Sequence, residues 1–104
     1  MYVHLDVTEE QSWIDIIKAT VSKFGKLDIL VNNAGGSSGS GTVEETTEDD
    51  WEADMALNVT GAFLGTKHAI PEMRKQGGGS IINIGSIAGL GGKTGGSTGY
   101  RVGK

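Results

Sequence analysis

The chain has 104 residues, of which 18 are glycine, one is proline and none is cysteine, and its net charge is −4. That length allows one small domain or part of a larger one, and a single proline separates the glycine excess from disordered or collagen-like composition. The acidic balance argues against nucleic-acid partners, which need a basic face, and the missing thiols exclude a disulfide framework, a thiolate metal site and a cysteine nucleophile.

No apolar run approaches the length of a membrane span, and no basic-then-apolar leader stands at the N-terminus. No membrane partner is therefore expected, and a cytoplasmic location is. His4 and His68 are far apart and lack ligand-like company, so no metal site is expected.

Residues 2–5 suit a short strand. Thr8 and Gln11 have the spacing of a capping box. Trp13, Ile17, Val21 and Phe24 then mark one face of a helix and a candidate core, with Gly25 as its stop. Residues 27–31 form a nearly continuous apolar run, the pattern of a strand buried on both faces of a parallel sheet. Asn32-Asn33-Ala34-Gly35 ends that strand, and residues 36–46 read as a polar loop.

Thr47 and Asp50 mark the next helix start. Glu44 to Glu52 reads as a solvated acidic stretch, and Trp51 as a packing residue. The helical pattern runs on to about Gln76. One helix of that length would span ~45 Å, too long for a small domain, so a break is expected near Leu57–Asn58. Val59, Ala62, Phe63, Thr66, Ile70 and Met73 form its apolar side, and Pro71 predicts a kink. Gly77-Gly78-Gly79 ends the pattern, residues 80–84 read as a strand, and Ser97 or Thr98 caps a last helix. Alternation of this kind predicts an α/β fold with a parallel sheet covered by helices on both faces.

Tyr100-x-x-x-Lys104 is the strongest chemical signal. Residues four apart share a helix face. An ammonium ~5 Å from a phenol, at an effective dielectric of ~20, favours the phenolate by roughly 3 kcal/mol, which suits acid/base work near neutral pH. Taken alone the pair is weak evidence, because a solvated helix face is the better default. Its context is stronger: Asp6, the Asn-Asn-Ala-Gly segment and Ser86 all follow predicted strands, where ligands bind in open α/β sheets. Asn58 stands at the expected helix break, where unpaired backbone groups can hold water.

These segments together resemble the short-chain dehydrogenase/reductase family. The resemblance rests on Leu5-Asp6-Val7-Thr8, Leu27 to Gly35 with its NNAG motif, Asn58-Val59-Thr60-Gly61, Gly79 to Ser86 and the YxxxK motif from Tyr100 to Lys104, in the family's order and spacing. It implies a partial Rossmann-like, doubly wound parallel sheet and an NAD(P)-dependent oxidoreductase. Such an enzyme moves a hydride between NAD or NADP and a small carbonyl or secondary-alcohol substrate. It further implies that Tyr100 is the acid/base, that Lys104 favours its phenolate and holds the nicotinamide ribose, and that Ser86 binds the substrate oxygen. Asn58 would hold a water behind Lys104. Asp6 and Val7 would meet the adenine, while Asn32, Ala34 and Gly35 would pass close to the cofactor ribose. Family kinship also implies a homo-oligomeric parent, dimer or tetramer.

The family's glycine-rich turn, T-G-x-x-x-G-x-G, and the strands after YxxxK have no counterpart here. The resemblance thus implies that residues 1–104 are a central fragment of one NAD(P)-binding domain. The third, fourth and fifth strands of the 3-2-1-4-5-6 order would be present, the third without a neighbour. The isolated chain is expected to fold poorly and to be inactive. Two other readings stand beside this one: a non-catalytic dinucleotide-binding or interaction protein on this fold, and a P-loop NTPase built on Gly91-Gly92-Lys93-Thr94. The P-loop pattern needs glycine at position 87, which is Ile87.

Overall fold

Two short strands organise the chain. In this computed structural model, which describes residues 1–39, 41–91 and 96–104, β1 (Ile29–Asn32) and β2 (Ser80–Asn83) pair in parallel, with Ile29 opposite Ser80 and Asn32 opposite Asn83. A parallel pair requires a long crossover. Here it is helical: α2 (Glu48–Met55), a π-helical turn (Ala56–Thr60) and α3 (Gly61–Lys75). Helix α1 (Glu10–Phe24) precedes β1, and a 3-10 turn (Ile87–Gly89) and α4 (Thr98–Gly103) follow β2.

The core lies where α1 and α3 meet one face of the sheet. Trp13 and Ile17 of α1, Leu30 of β1, and Leu64, Ala69 and Met73 of α3 are buried together. The Trp13 indole N–H donates to the Val7 carbonyl at 2.9 Å, so the ring that fills the core also fixes the segment leading into α1. Outside the core, Lys67 and His68 of α3 both reach Glu10 of α1, His68 at 2.8 Å.

Several local expectations change. Residues 2–5 form no strand, because among the described residues no strand lies beside them to take their backbone hydrogen bonds. The Thr8–Gln11 capping box does not form: Asp6 Oδ1 captures both the Thr8 amide (2.9 Å) and the Thr8 hydroxyl (2.7 Å), and α1 begins at Glu10 without a side-chain cap. Phe24 is 57% exposed rather than core, under the Lys23 ammonium at 5.8 Å. Trp51 stands exposed beside Val43 and Thr98.

The 27–31 run is buried on one face only. Leu30 points into the core while Ile29 is 60% exposed, and Ile82 and Ile84 share its openness. Among the described residues helices cover a single face of this sheet, where both were expected to be covered.

The other stops and starts written in glycine, serine and threonine hold. Gly25 closes α1 in a left-handed conformation (φ 81°), its N–H on the Val21 carbonyl. Thr47 accepts from the Asp50 amide, and Ser97 caps α4. The expected break at Leu57–Asn58 is a widening rather than a gap. The Gly61 N–H reaches the Ala56 carbonyl, five residues back, and the helix continues through Pro71 to Lys75. Widened turns of this type collect at functional sites in helices.

Candidate active site

The candidate residues after Val7 lie at the carboxyl ends of β1 and β2, on the segments just beyond them, or on a helix packed there. Lys104 closes α4, its amide on the Tyr100 carbonyl at 3.0 Å, so Tyr100 and Lys104 stand one turn apart on one helix. The Lys104 ammonium reaches across to both strand ends. It donates to the Ile84 carbonyl after β2 (3.0 Å) and to the Ala34 carbonyl after β1 (3.3 Å). An ammonium has three donors. Among the described residues two are thus committed, and one remains for the cavity that Lys104 lines.

Asn58 projects from the π-helical turn into the same region and is buried. Its Nδ2 donates to the carbonyls of Gly36 and Asp54, both at 2.8 Å, and its Oδ1 accepts from the Gly36 amide at 3.1 Å. Asn58 therefore ties the loop after β1 to the widened helix. The loop must come close for this to happen. A Cβ on Gly35 would fall 2.5 Å from Lys104 Nζ and 3.0 Å from Asn58 Oδ1, so a larger residue there would have to displace the Lys104 ammonium.

Lys104 and Asn58 share a cavity of about 330 Å³ with Ala34, Asn32, Asn83, Ile84 and Gly85. Ser86 and Tyr100 are not in its lining. Ser86 caps the 3-10 turn, its Oγ accepting from the Ala88 amide at 3.1 Å, and that turn packs on α4. Tyr100 is half-buried, with its amide on Ser97 Oγ at 3.2 Å. The four candidate residues thus sit on mutually packed elements around the strand ends, two of them inside the cavity and two beside it.

The expected cofactor residues divide. Asn32 turns its amide inward: Nδ2 donates to Asn83 Oδ1 (2.8 Å) and Thr66 Oγ1 (3.3 Å), while Oδ1 is buried without a partner among the described residues. Leu5, Val7, Ala34 and Asn32 line a second cavity of about 140 Å³. Asp6 is exposed, with one oxygen occupied by Thr8. The Thr8 hydroxyl and then its amide hold the Asp6 carboxyl below its ordinary value. The Lys93 and Thr94 of the P-loop reading lie outside the described residues. No group of His, Cys, Asp and Glu that could hold a metal occurs among the described residues, and no helix there is long and apolar enough to cross a membrane.

Sequence reasoning missed Asp54. It is buried four residues before Asn58, on the same helical face, a spacing that could have flagged it. Reading the neighbouring carboxylates as a solvated stretch concealed it.

Comparison with known proteins identifies the family. The family model described as short chain dehydrogenase matches residues 1–101, and the chain belongs to that family. It is 52% identical over 90 residues to a trans-4-hydroxycyclohexanecarboxylate dehydrogenase of Sinomonas cyclohexanicum, covering 86% of this chain and 34% of that protein. It is 45% identical over 91 residues to a 3-alpha-(or 20-beta)-hydroxysteroid dehydrogenase of Mycobacterium bovis, covering 88% and 35%. The solved structure of ElxO with NADP bound superposes with a TM-score of 0.89 at 39% identity, over 99% of this chain and 41% of that one. The chain therefore spans about a third of the length of these curated relatives.

Proposed function

We propose that the full-length protein is an NAD(P)-dependent oxidoreductase that interconverts a small secondary alcohol and its carbonyl compound. The observation that carries this reading is the cavity at the strand ends, where the Lys104 ammonium and the Asn58 turn face residues from both β1 and β2. The family supports it, as do relatives named for a hydroxycyclohexanecarboxylate and for hydroxysteroids.

The residues present fit a nicotinamide cofactor. Lys104 keeps one donor for a ribose hydroxyl, and Asn32, Ala34 and Asn58 line the same cavity. When bound, the nicotinamide supplies or accepts the hydride. This chain's own residues do the rest. Tyr100 moves the proton at the substrate oxygen, and Ser86 donates a hydrogen bond to that oxygen. Lys104 supplies positive charge beside Tyr100 and holds the ribose, and Asn58 keeps the loop after β1 in place behind it. Asp6 and Val7 border the adenine end. We further propose a cytoplasmic homo-oligomer that binds neither nucleic acid nor membrane, built around one NAD(P)-binding domain of which residues 1–104 are the centre.

The test is turnover by the full-length protein with NAD and NADP across a panel of secondary alcohols, with Tyr100→Phe as control. Oxidation abolished by Tyr100→Phe is expected. Cofactor binding with no turnover of any alcohol would instead support a non-catalytic dinucleotide-binding protein.

A further inference from the structure

Asp54 is 2% exposed, and the mechanism above gives it no task. A carboxylate removed from water persists only where hydrogen bonds replace its hydration. Here they come from two separate segments. Ser38 donates to Oδ1 with both its amide (2.7 Å) and its hydroxyl (2.8 Å), and the Ser97 hydroxyl donates to Oδ2. Burial pushes the Asp54 carboxyl up, but the bonds from Ser97, from Ser38 and from the Tyr100 amide outweigh it and hold the group below its ordinary value.

The arrangement leads directly to the candidate acid/base. Ser97 Oγ accepts from the Tyr100 amide at 3.2 Å while donating to Asp54, and the Ser97 amide is held by Ser37 Oγ at 2.8 Å. The Asp54 carbonyl accepts from Asn58 Nδ2. Packing is close throughout: a Cβ on Gly99 would lie 2.6 Å from Asp54 Cβ. Helix α4 has only six residues, too few to persist alone, so the contacts that grip its first turn help to set where Tyr100 stands.

We propose that Asp54 is a positioning residue for Tyr100. Through Ser97 it sets the first turn of α4, and hence the placement of the Tyr100 hydroxyl on the substrate oxygen. The inference rests on the dehydrogenase reading and adds to it a residue that touches neither substrate nor cofactor.

The test compares Asp54→Ala, Asp54→Asn, Ser97→Ala and the Asp54→Ala/Ser97→Ala double variant in the full-length enzyme. A misplacement of about 1 Å can lower a rate on the order of a hundredfold. Asp54→Ala and Ser97→Ala are expected to lower kcat by about tenfold to a hundredfold, with the cofactor KM changed less than about threefold. Asp54→Asn, which keeps an acceptor for Ser38, should recover part of the loss. The double variant should be no slower than Asp54→Ala, since both changes cut one chain of hydrogen bonds. Amide exchange in α4 should accelerate in each.

A folded Ser97→Ala enzyme with the wild-type kcat overturns the proposal. If Asp54→Ala fails to fold, Ser97→Ala decides alone, because it removes only a hydroxyl. If the wild type oxidises no alcohol, the dehydrogenase reading fails separately. Amide exchange then decides the positioning role, and unchanged protection of α4 in Ser97→Ala overturns it.

Discussion

In the proposed reaction Tyr100 and Lys104 carry different shares, and their removal should tell chemistry from binding. Tyr100→Phe deletes one hydroxyl and leaves the backbone bond to Ser97 intact. Turnover is expected to fall by about a hundredfold to ten-thousandfold, the usual share of positioned acid/base catalysis, while cofactor affinity measured by calorimetry stays near wild type. Lys104→Met should weaken both, because it strips the donor from the Ala34 and Ile84 carbonyls and removes the charge that faces the cavity. Asp54 offers a pH test. Its native value lies below the unfolded one of ~3.9, so its stabilisation is fully present above that pH and is lost as pH falls through the lower native value. Urea denaturation between pH ~5 and ~2 should therefore show a shallower acid loss in Asp54→Asn than in wild type. Asp6 and Glu10 have the same sign, Glu10 through Lys67 and then His68, but both are exposed and solvent screens their share.

At the scale of elements, the α1–α3 contact holds the helical layer on the sheet. Trp13 is its centre, filling the core with its ring and satisfying the Val7 carbonyl with its N–H. Trp13→Ala is expected to cost about 3–5 kcal/mol in urea unfolding of the full-length protein, and Trp13→Phe, which keeps most of the packing but not the bond, nearer 1–2 kcal/mol. This contact was legible before the structure, since Trp13 and Ile17 are four apart on an apolar face. The fate of Phe24 on that same face was not. Periodicity says which residues share a side of a helix, not where the neighbouring sheet stops. The Thr8 cap failed for a related reason: two nearby residues competed for its donors, and Asp6, with a charged acceptor, won.

At the scale of the molecule, the chain is extended. Its radius of gyration is 15.5 Å, against about 13 Å for a compact domain of this length. Its surface of 6549 Å² exceeds by about 1000 Å² that of a compact protein of its mass. The excess has an address: among the described residues one face of the sheet is bare, with Ile29, Val31, Ile82 and Ile84 exposed, and residues 2–5 have no strand beside them. Residues 1–104 expressed alone should therefore unfold without a sharp cooperative transition, bind hydrophobic dyes and show no turnover. A steep urea transition that shifts on adding NAD or NADP would contradict this.

What the amino-acid order determined by itself is local or periodic. The glycine and serine punctuation set the helix ends, the apolar spacing set the core face of α1, and the order of Asn32–Gly35, Asn58, Ser86, Tyr100 and Lys104 along the chain marked the family. Each of these depends on neighbours within a few residues or on a motif's spacing. Tertiary structure alone decided which strand face was covered and where the Lys104 ammonium pointed. It also decided that Asp54, in a run of acids, is buried under a loop 16 residues before it and a cap 43 residues after it. Burial is a property of segments distant in sequence and adjacent in space, and no local pattern carries it.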